Sequence, residues 1–275
     1  MTYREAMDLG EKVLKMADIA DAKVDAWLLL EMVCKIDRNF YYLHLEDDLS
    51  EEQVSGYEIA LKKRAEHIPL QYIVGETEFM GLRFKVNSSV LVPRQDTETL
   101  VEEALKVIEP GMKVLDLCTG SGCIIISILH NIVNVEGDAV DISRQALNVA
   151  IENAKLNDVV VNFERSDLFD NVTGTYDVIV SNPPYIPTAQ VLKLMPEVQN
   201  FEPMEALDGK EDGLFFYRRI IQECGAYLKE NGKILFEIGH DQGVMVSGML
   251  RAAGFKNVTI KKDLSGNDRV VSGMR

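Results

Sequence analysis

The residues best suited to chemistry in this 275-residue chain fall in four short segments between positions 114 and 185. Val178-Ile179-Val180-Ser181 is an apolar, β-branched run that leads into Asn182-Pro183-Pro184-Tyr185. Proline cannot donate to a strand ladder, so two in succession end the strand abruptly. A residue before proline is also held extended, which stiffens Asn182 and Pro183. The Asn182 side-chain oxygen and the Pro183 carbonyl then become two fixed acceptors beside the aromatic wall of Tyr185. Two acceptors suit an NH2 group, whether a carboxamide or the exocyclic amine of a base. Taken alone, the segment also reads as a plain strand stop.

The other three segments supply a place for a cofactor. Val114-Leu115-Asp116-Leu117 is an apolar strand that enters Cys118-Thr119-Gly120-Ser121-Gly122. Glycines at a strand-to-helix turn let the backbone approach a ligand closely, and in an open α/β sheet that ligand lies beyond the carboxyl ends of the strands. The third glycine of a dinucleotide fingerprint is missing, and no Gly-Lys-Ser/Thr follows, so neither of those phosphate sites is expected. A tight structural turn is the alternative for this segment. Asp141 ends the next strand, 19 residues after Gly122, where a carboxylate can accept from both ribose hydroxyls of a nucleoside. Asp167 and Leu168 follow the third strand and would line an adenine, one as acceptor and one as apolar wall. For Asp167 a loop cap is an equally good reading.

These segments need a frame. After Val90 the chain alternates strand and helix patterns. Strands are expected at Lys113–Leu117, Asp138–Asp141, Val159–Phe163, Val178–Ser181, Lys233–Ile238, Asn257–Lys261 and Arg269–Gly273. Helices are expected at 96–108, 122–131, 143–156, 212–229 and 241–253. Strands separated by helices of 10–15 residues predict right-handed βαβ units and a doubly wound, mostly parallel sheet. Lys262 to Asp268 is too short for a helical crossover, so the last two strands should form an antiparallel edge. Residues 1–68 show helical spacing only, with a capping box at Ser50-Glu51-Glu52-Gln53. Val74–Phe79 and Leu82–Val86 flank Met80-Gly81 as a hairpin. The expected organisation is an α/β chain with a helical recognition domain at 1–71, a β-hairpin linker at 72–88, and a catalytic domain at 89–275.

A parallel sheet that ends antiparallel, with the segments above at its strand ends, resembles the class I methyltransferases that carry an Asn-Pro-Pro-Tyr motif. The whole chain is similar to the bacterial release-factor glutamine methyltransferases, the PrmC/HemK family. Pro69-Leu70-Gln71-Tyr72-Ile73 with Gly75, and Val90-Leu91-Val92-Pro93-Arg94 with Thr97-Glu98, match family signatures. So do Glu202-Pro203 with Ala206-Leu207, Asp212-Gly213-Leu214, Glu237-Ile238-Gly239 with Gln242-Gly243, and Asp263-Leu264-Ser265-Gly266 with Asp268-Arg269. Two positions depart: Cys118 stands where the family usually has Gly, and Gln95-Asp96 stands where it usually has Pro-Glu.

The resemblance implies S-adenosyl-L-methionine as cofactor and N5-methylation of the glutamine in the GGQ loop of class I release factors. It implies catalysis at Asn182, Pro183, Pro184 and Tyr185, and cofactor binding by Cys118, Thr119, Gly120, Ser121, Gly122, Asp141, Asp167, Leu168 and Asn182. No metal site and no general base are expected; His130 and His240 read as surface or cap residues. A ribosomal-protein glutamine and adenine N6 of DNA are the alternative acceptors, because each offers the same NH2.

Charge weighs between these acceptors. The chain carries 29 Lys+Arg against 44 Asp+Glu, a net charge of −15. Residues 1–72 hold 9 basic and 15 acidic side chains, or −6, and the remainder −9. Phosphate tracking draws on surplus Lys and Arg, so no direct nucleic-acid binding is expected. The four cysteines form no CxxC pair, which fits reduced thiols. The charged N-terminus lacks a signal-peptide core, and no run reaches the roughly 18 apolar residues of a membrane span. A cytoplasmic monomer is expected.

Overall fold

The computed structural model describes residues 1–275, which divide into two compact units: 1–75 with 195–201, and 76–194 with 202–275. The first unit is helical, with α1 (Tyr3–Met16), α2 (Ala22–Cys34), α3 (Arg38–Leu43), α4 (Glu51–Ala65) and α5 (Leu70–Val74). Capping boxes open α1 at Thr2 with Glu5 and α4 at Ser50 with Gln53, each satisfying two orphan N–H groups at the helix start. Leu14, Ala26, Leu29, Leu30 and Tyr57 are fully buried in one core. Gly10 admits Tyr57, since a Cβ there would overlap the phenol oxygen. That hydroxyl donates to the Ala26 carbonyl at 3.1 Å. Arg64 pairs with buried Asp25 at 2.6 Å and with Glu197 at 2.8 Å. Val74 and Gly75, expected to begin the hairpin, instead close α5. Gly75 takes φ 86 and its N–H donates to the Gln71 carbonyl at 2.7 Å, a left-handed helix cap that favours glycine.

In the second unit β1 (Glu76–Phe79) and β2 (Leu82–Lys85) form the antiparallel hairpin. Met80 and Gly81 both have positive φ, 52 and 73, the twist that tight hairpins prefer. Phe79 and Phe84 are buried in this unit's core. Seven strands follow: β3 (Lys113–Leu117), β4 (Glu136–Asp141), β5 (Asn162–Arg165), β6 (Tyr176–Ser181), β7 (Leu228–Glu237), β8 (Lys256–Lys262) and β9 (Asp268–Met274). Their order is β5-β4-β3-β6-β7-β9-β8, with β9 antiparallel to both neighbours and the rest parallel.

The helices of this unit are α6 (Gln95–Leu105), α7 (Cys123–Asn131), α8 (Arg144–Leu156), α9 (Thr188–Val191), α11 (Met204–Leu207), α12 (Phe215–Glu223) and α13 (Gly243–Ala252); α10 (Pro196–Phe201) belongs to the first unit. Strand alternation sorts the core into two layers. Leu115, Leu117, Ile179, Ile234 and Phe236 share a core with Tyr217 and Ile220 of α12 and Val246 and Leu250 of α13. Val114, Val178, Val180, Leu235 and Val270 share the other with Leu100 of α6 and Ile124 and Ile125 of α7. Each large apolar side chain so buried contributes about 1.5–3 kcal/mol.

Three expected elements move. β7 begins at Leu228 rather than Lys233. The third strand begins at Asn162 rather than Val159, because residues after α8 cap it: Val159 N–H donates back to Ala154, Asp158 takes φ 55, and Val160 stays 88% exposed. The helix expected at 212–229 is shorter. Gly213 at φ 74 and Asp212, which accepts from Leu214 N–H, delay its start to Phe215. A 3₁₀ turn at Cys224–Ala226 ends it early.

Candidate active site

From β3 the sheet grows one way through β4 and β5 and the other way through β6 and β7. Such a switch point opens a crevice at the carboxyl ends of the strands. A cavity of about 450 Å³ lies there, lined by Cys118, Thr119, Gly120, Ser121, Asp141, Asp167, Leu168, Asn182 and Pro184. The segments singled out by residue type thus meet in one place. Gly122, Pro183 and Tyr185 do not line it.

The loop after β3 is held by its own backbone. Thr119 N–H donates to the Val140 carbonyl at 3.0 Å, and Gly122 N–H to the Thr119 carbonyl at 2.9 Å. Cys118, Gly120 and Gly122 take φ 60, 55 and 80. A side chain at Gly122 would press on Ile126 and Ala150, whereas Gly120 faces open space. Cys118 sits in a conformation that suits glycine, which explains the residue usual there. Burial pushes its thiol well above the ordinary range, and Asp141 and Asp116 push it further, so it is not a nucleophile. Asn153, wholly buried, was not foreseen. It donates to the carbonyls of Ser121 and Lys85 and accepts from Lys85 N–H at 2.7 Å, tying loop, hairpin and α8 together.

Two carboxyls flank the loop. Asp141 Oδ2 accepts from Gly120 N–H at 2.9 Å and Oδ1 from Ser143 N–H at 2.8 Å. Burial raises its pKa, and those N–H groups oppose the rise. Each oxygen keeps a lone pair for a ligand hydroxyl. Asp116 is fully buried; Oδ2 accepts from the Thr119 hydroxyl at 2.7 Å and Oδ1 has no partner. Burial lifts its pKa to about 7. Asp167 is paired with Arg219 at 2.8 Å, and Arg219 lies over the Phe215 ring. Leu168, at φ 51, supplies apolar wall with Ile142, Phe215 and Phe216. Arg219 and the two phenylalanines carry no motif signal; only the fold brings them here.

The turn after β6 is held by side chains instead. Asn182 Nδ2 donates to Thr97 Oγ1 at 3.4 Å, and Ser181 Oγ donates to the Leu117 carbonyl at 2.8 Å. Tyr185 packs against the core rather than the cavity, with its hydroxyl donating to Glu237 Oε1 at 3.3 Å. Gln242 Nε2 donates to the carbonyls of Tyr185 and Gly213, and its oxygen accepts from Gly239 N–H at 3.0 Å. Ion pairs join the matched segments: Arg94 with Glu202 at 2.6 Å, and Arg269 with Asp96 and Asp263 at 2.9 and 3.0 Å. His240 is exposed beside Asp241, and neither it nor His130 lines the cavity. No group of acids, histidines and cysteines is arranged to hold a metal ion, and no helix is long and apolar enough to cross a membrane.

Comparison with known proteins joins the two units. Residues 5–75 match the PrmC N-terminal domain, and residues 95–197 the methyltransferase small domain. The release factor glutamine methyltransferase of Clostridium botulinum is 40% identical over 282 residues, 100% of both chains. Its counterpart in Cereibacter sphaeroides is 43% identical over 99% of this chain and 98% of its own. A methyltransferase of solved structure from Pyrococcus furiosus matches with a TM-score of 0.54 at 18% identity, over 70% of this chain and 89% of its own; that likeness shows the fold alone. With full-length identity near two-fifths and both domain types in order, the chain belongs to the release factor glutamine methyltransferase family.

Proposed function

We propose that this protein transfers a methyl group from S-adenosyl-L-methionine to the side-chain amide nitrogen of the glutamine in the GGQ motif of class I release factors. Family membership over the full length supports the substrate class. The observation that carries the chemistry is the Asn182 amide: its nitrogen is spent on Thr97, which leaves Oδ1 as an acceptor at the rim of the cavity.

The cavity suits the cofactor. Gly120 N–H is already committed to Asp141, and the open space at Gly120 leaves room for a ligand against bare backbone. Thr119, Gly120 and Ser121 would hold the amino-acid end, Asp141 the ribose hydroxyls, and Leu168 with Ile142 the base. When bound, S-adenosyl-L-methionine supplies a methyl group on a sulfonium as the electrophile.

The chain's own residues deal with the acceptor. A primary amide is a poor nucleophile because its lone pair is delocalised into the carbonyl. Asn182 Oδ1 and the Pro183 carbonyl would each take one N–H of the substrate amide, which aims the nitrogen and favours the charge that develops on it, and the proton the methylated nitrogen sheds passes to solvent. Positioning of this kind supplies on the order of 7–11 kcal/mol of a barrier, and fixed dipoles that need not reorganise add to it. The net charge of −15 works against a nucleic-acid acceptor.

Radiolabelled cofactor offered with four acceptors tests this reading: a release factor, its GGQ→GGA variant, ribosomal protein, and unmethylated DNA. Label in the release factor alone is expected. Label in DNA or ribosomal protein, with none in the release factor, would overturn it.

A further inference from the structure

Pro183 and Pro184 bring no N–H to the turn Asn182–Tyr185, so the turn has to be held at its ends. Its entry is the end of β6. Ser181 pairs with Leu117 on one side and Phe236 on the other, and its hydroxyl donates to the Leu117 carbonyl at 2.8 Å. Its exit is Tyr185, whose carbonyl accepts from Gln242 Nε2 at 2.9 Å. Just beyond, Ile186 N–H donates to the Leu207 carbonyl at 3.0 Å, and Gly209 N–H to the Ile186 carbonyl at 2.8 Å. The packing here is close. A Cβ on Gly209 would stand 2.8 Å from the Tyr185 main chain, and one on Gly213 would overlap the Tyr185 carbonyl.

Gln242 is buried at the start of α13, and only one orientation of its amide satisfies its neighbours. Gly239 N–H, which can only donate, meets Oε1 at 3.0 Å. The carbonyls of Tyr185 and Gly213, which can only accept, meet Nε2 at 2.9 and 3.3 Å. A flipped amide would set donor against donor on one side and acceptor against acceptor on the other. None of Tyr185, Gly209, Gly213 and Gln242 lines the cavity.

We propose that Gln242 is a positioning residue for methyl transfer: its amide locks the Tyr185 carbonyl, and the stiff chain between that point and Ser181 then holds the Pro183 carbonyl and Asn182 toward the substrate amide. Proline rings fix φ at 183 and 184, so little torsional freedom remains between two ends that are both set. A side chain that meets neither cofactor nor substrate thereby governs the aim of the acceptor pair. The inference rests on the glutamine-amide reading above.

Gln242→Met keeps the length and removes both polar groups. Gln242→Glu keeps the shape but replaces the NH2 donor with a carboxyl that donates only when protonated, and burial raises the pKa of such a group toward neutrality. Val246→Ala, a core truncation in the same helix, controls for lost stability. Turnover of the release factor, its KM, cofactor affinity by calorimetry and the thermal midpoint would be measured for each variant and the wild type. Gln242→Met should lower kcat about tenfold, the scale of one hydrogen bond, with KM and cofactor affinity within about twofold of wild type. Gln242→Glu should lose as much at about pH 8 and regain most of it, relative to wild type at the same pH, at about pH 6. Val246→Ala should lower the midpoint and keep kcat. A Gln242→Met variant as fast as wild type would overturn the inference, and so would a Gln242→Glu variant whose relative rate does not rise on acidification. Cofactor affinity lost in step with turnover, or the same loss of kcat in Val246→Ala, would reduce Gln242 to a structural residue and overturn it too. If Gln242→Met does not fold, the pH profile of Gln242→Glu decides alone. Wild-type protein inactive on the release factor would instead remove the functional reading, and this inference with it.

Discussion

The two lips of the cavity are built by different means. The loop Cys118–Gly122 is shaped by its backbone: positive φ at three positions, turn hydrogen bonds, and a carboxylate that accepts main-chain N–H groups. The turn Asn182–Tyr185 is stiffened by two prolines and then fixed by side chains from α6, β7 and the start of α13: Thr97, Glu237 and Gln242. A backbone-built lip tolerates changes in side chain as long as φ can be met. A side-chain-built lip depends on the identity of the residues that hold it from other elements.

The sharpest break is at the second lip. Asn182→Ala should leave cofactor binding near wild type and lower kcat about 10²–10³-fold, the usual loss when a preorganised polar contact to the reacting group goes. Calorimetry for the cofactor and methyl transfer to release factor separate the two effects. At the first lip the opposite split is expected. Asp141→Asn keeps shape but loses the charge that accepts from ligand hydroxyls, so cofactor affinity should fall by about 1.5–3 kcal/mol, with kcat at saturation little changed.

The buried carboxyls behind each lip give a pH test. Burial raises Glu237 from 4.5 to about 7 and Asp116 from 3.8 to about 7. An acid whose folded pKa exceeds its unfolded value keeps a proton that the unfolded chain has lost. Its contribution to stability is full below the unfolded pKa and declines as pH rises to the folded pKa. Between pH 4.5 and 7 each group should therefore remove about 1.4 kcal/mol per pH unit. Denaturant melts across that window should show the decline, and Glu237→Gln should flatten it by one group's share.

The smallest effect sharpens the first lip. Cys118 at φ 60 occupies a region that costs an ordinary residue about 1–2 kcal/mol, while glycine loses about 0.5–1 kcal/mol of unfolded-state freedom. Cys118→Gly should thus leave the thermal midpoint unchanged or slightly raised, with transfer intact. A clear drop in midpoint would mean that the thiol packs better than its backbone suggests.

The same contrast explains what was legible beforehand. Glycines, prolines and a strand-ending acid announce themselves in sequence because their backbone properties are local, and Asp141, Gly120 and Asn182 are legible from those properties. The antiparallel edge followed from a gap too short for a helix. Thr97, Glu237, Gln242 and Asn153 stand in plain view, the first three inside family signatures, but their roles depend on partners up to 85 residues away. Tyr185 was expected on the substrate and instead turns to Glu237, because the turn offers its ring a buried core to join. Val159–Val161 read as strand from composition alone, whereas capping α8 took precedence. Local chemistry is readable; the polarity of a buried network is a property of the assembled fold.

Release factor treated with the wild-type protein and cofactor is digested, and the GGQ peptide is fragmented in a mass spectrometer. One added methyl on the glutamine side-chain nitrogen is expected, absent after treatment with Asn182→Ala. A methyl on any other residue, or an unmodified GGQ peptide beside methylated DNA, would contradict it.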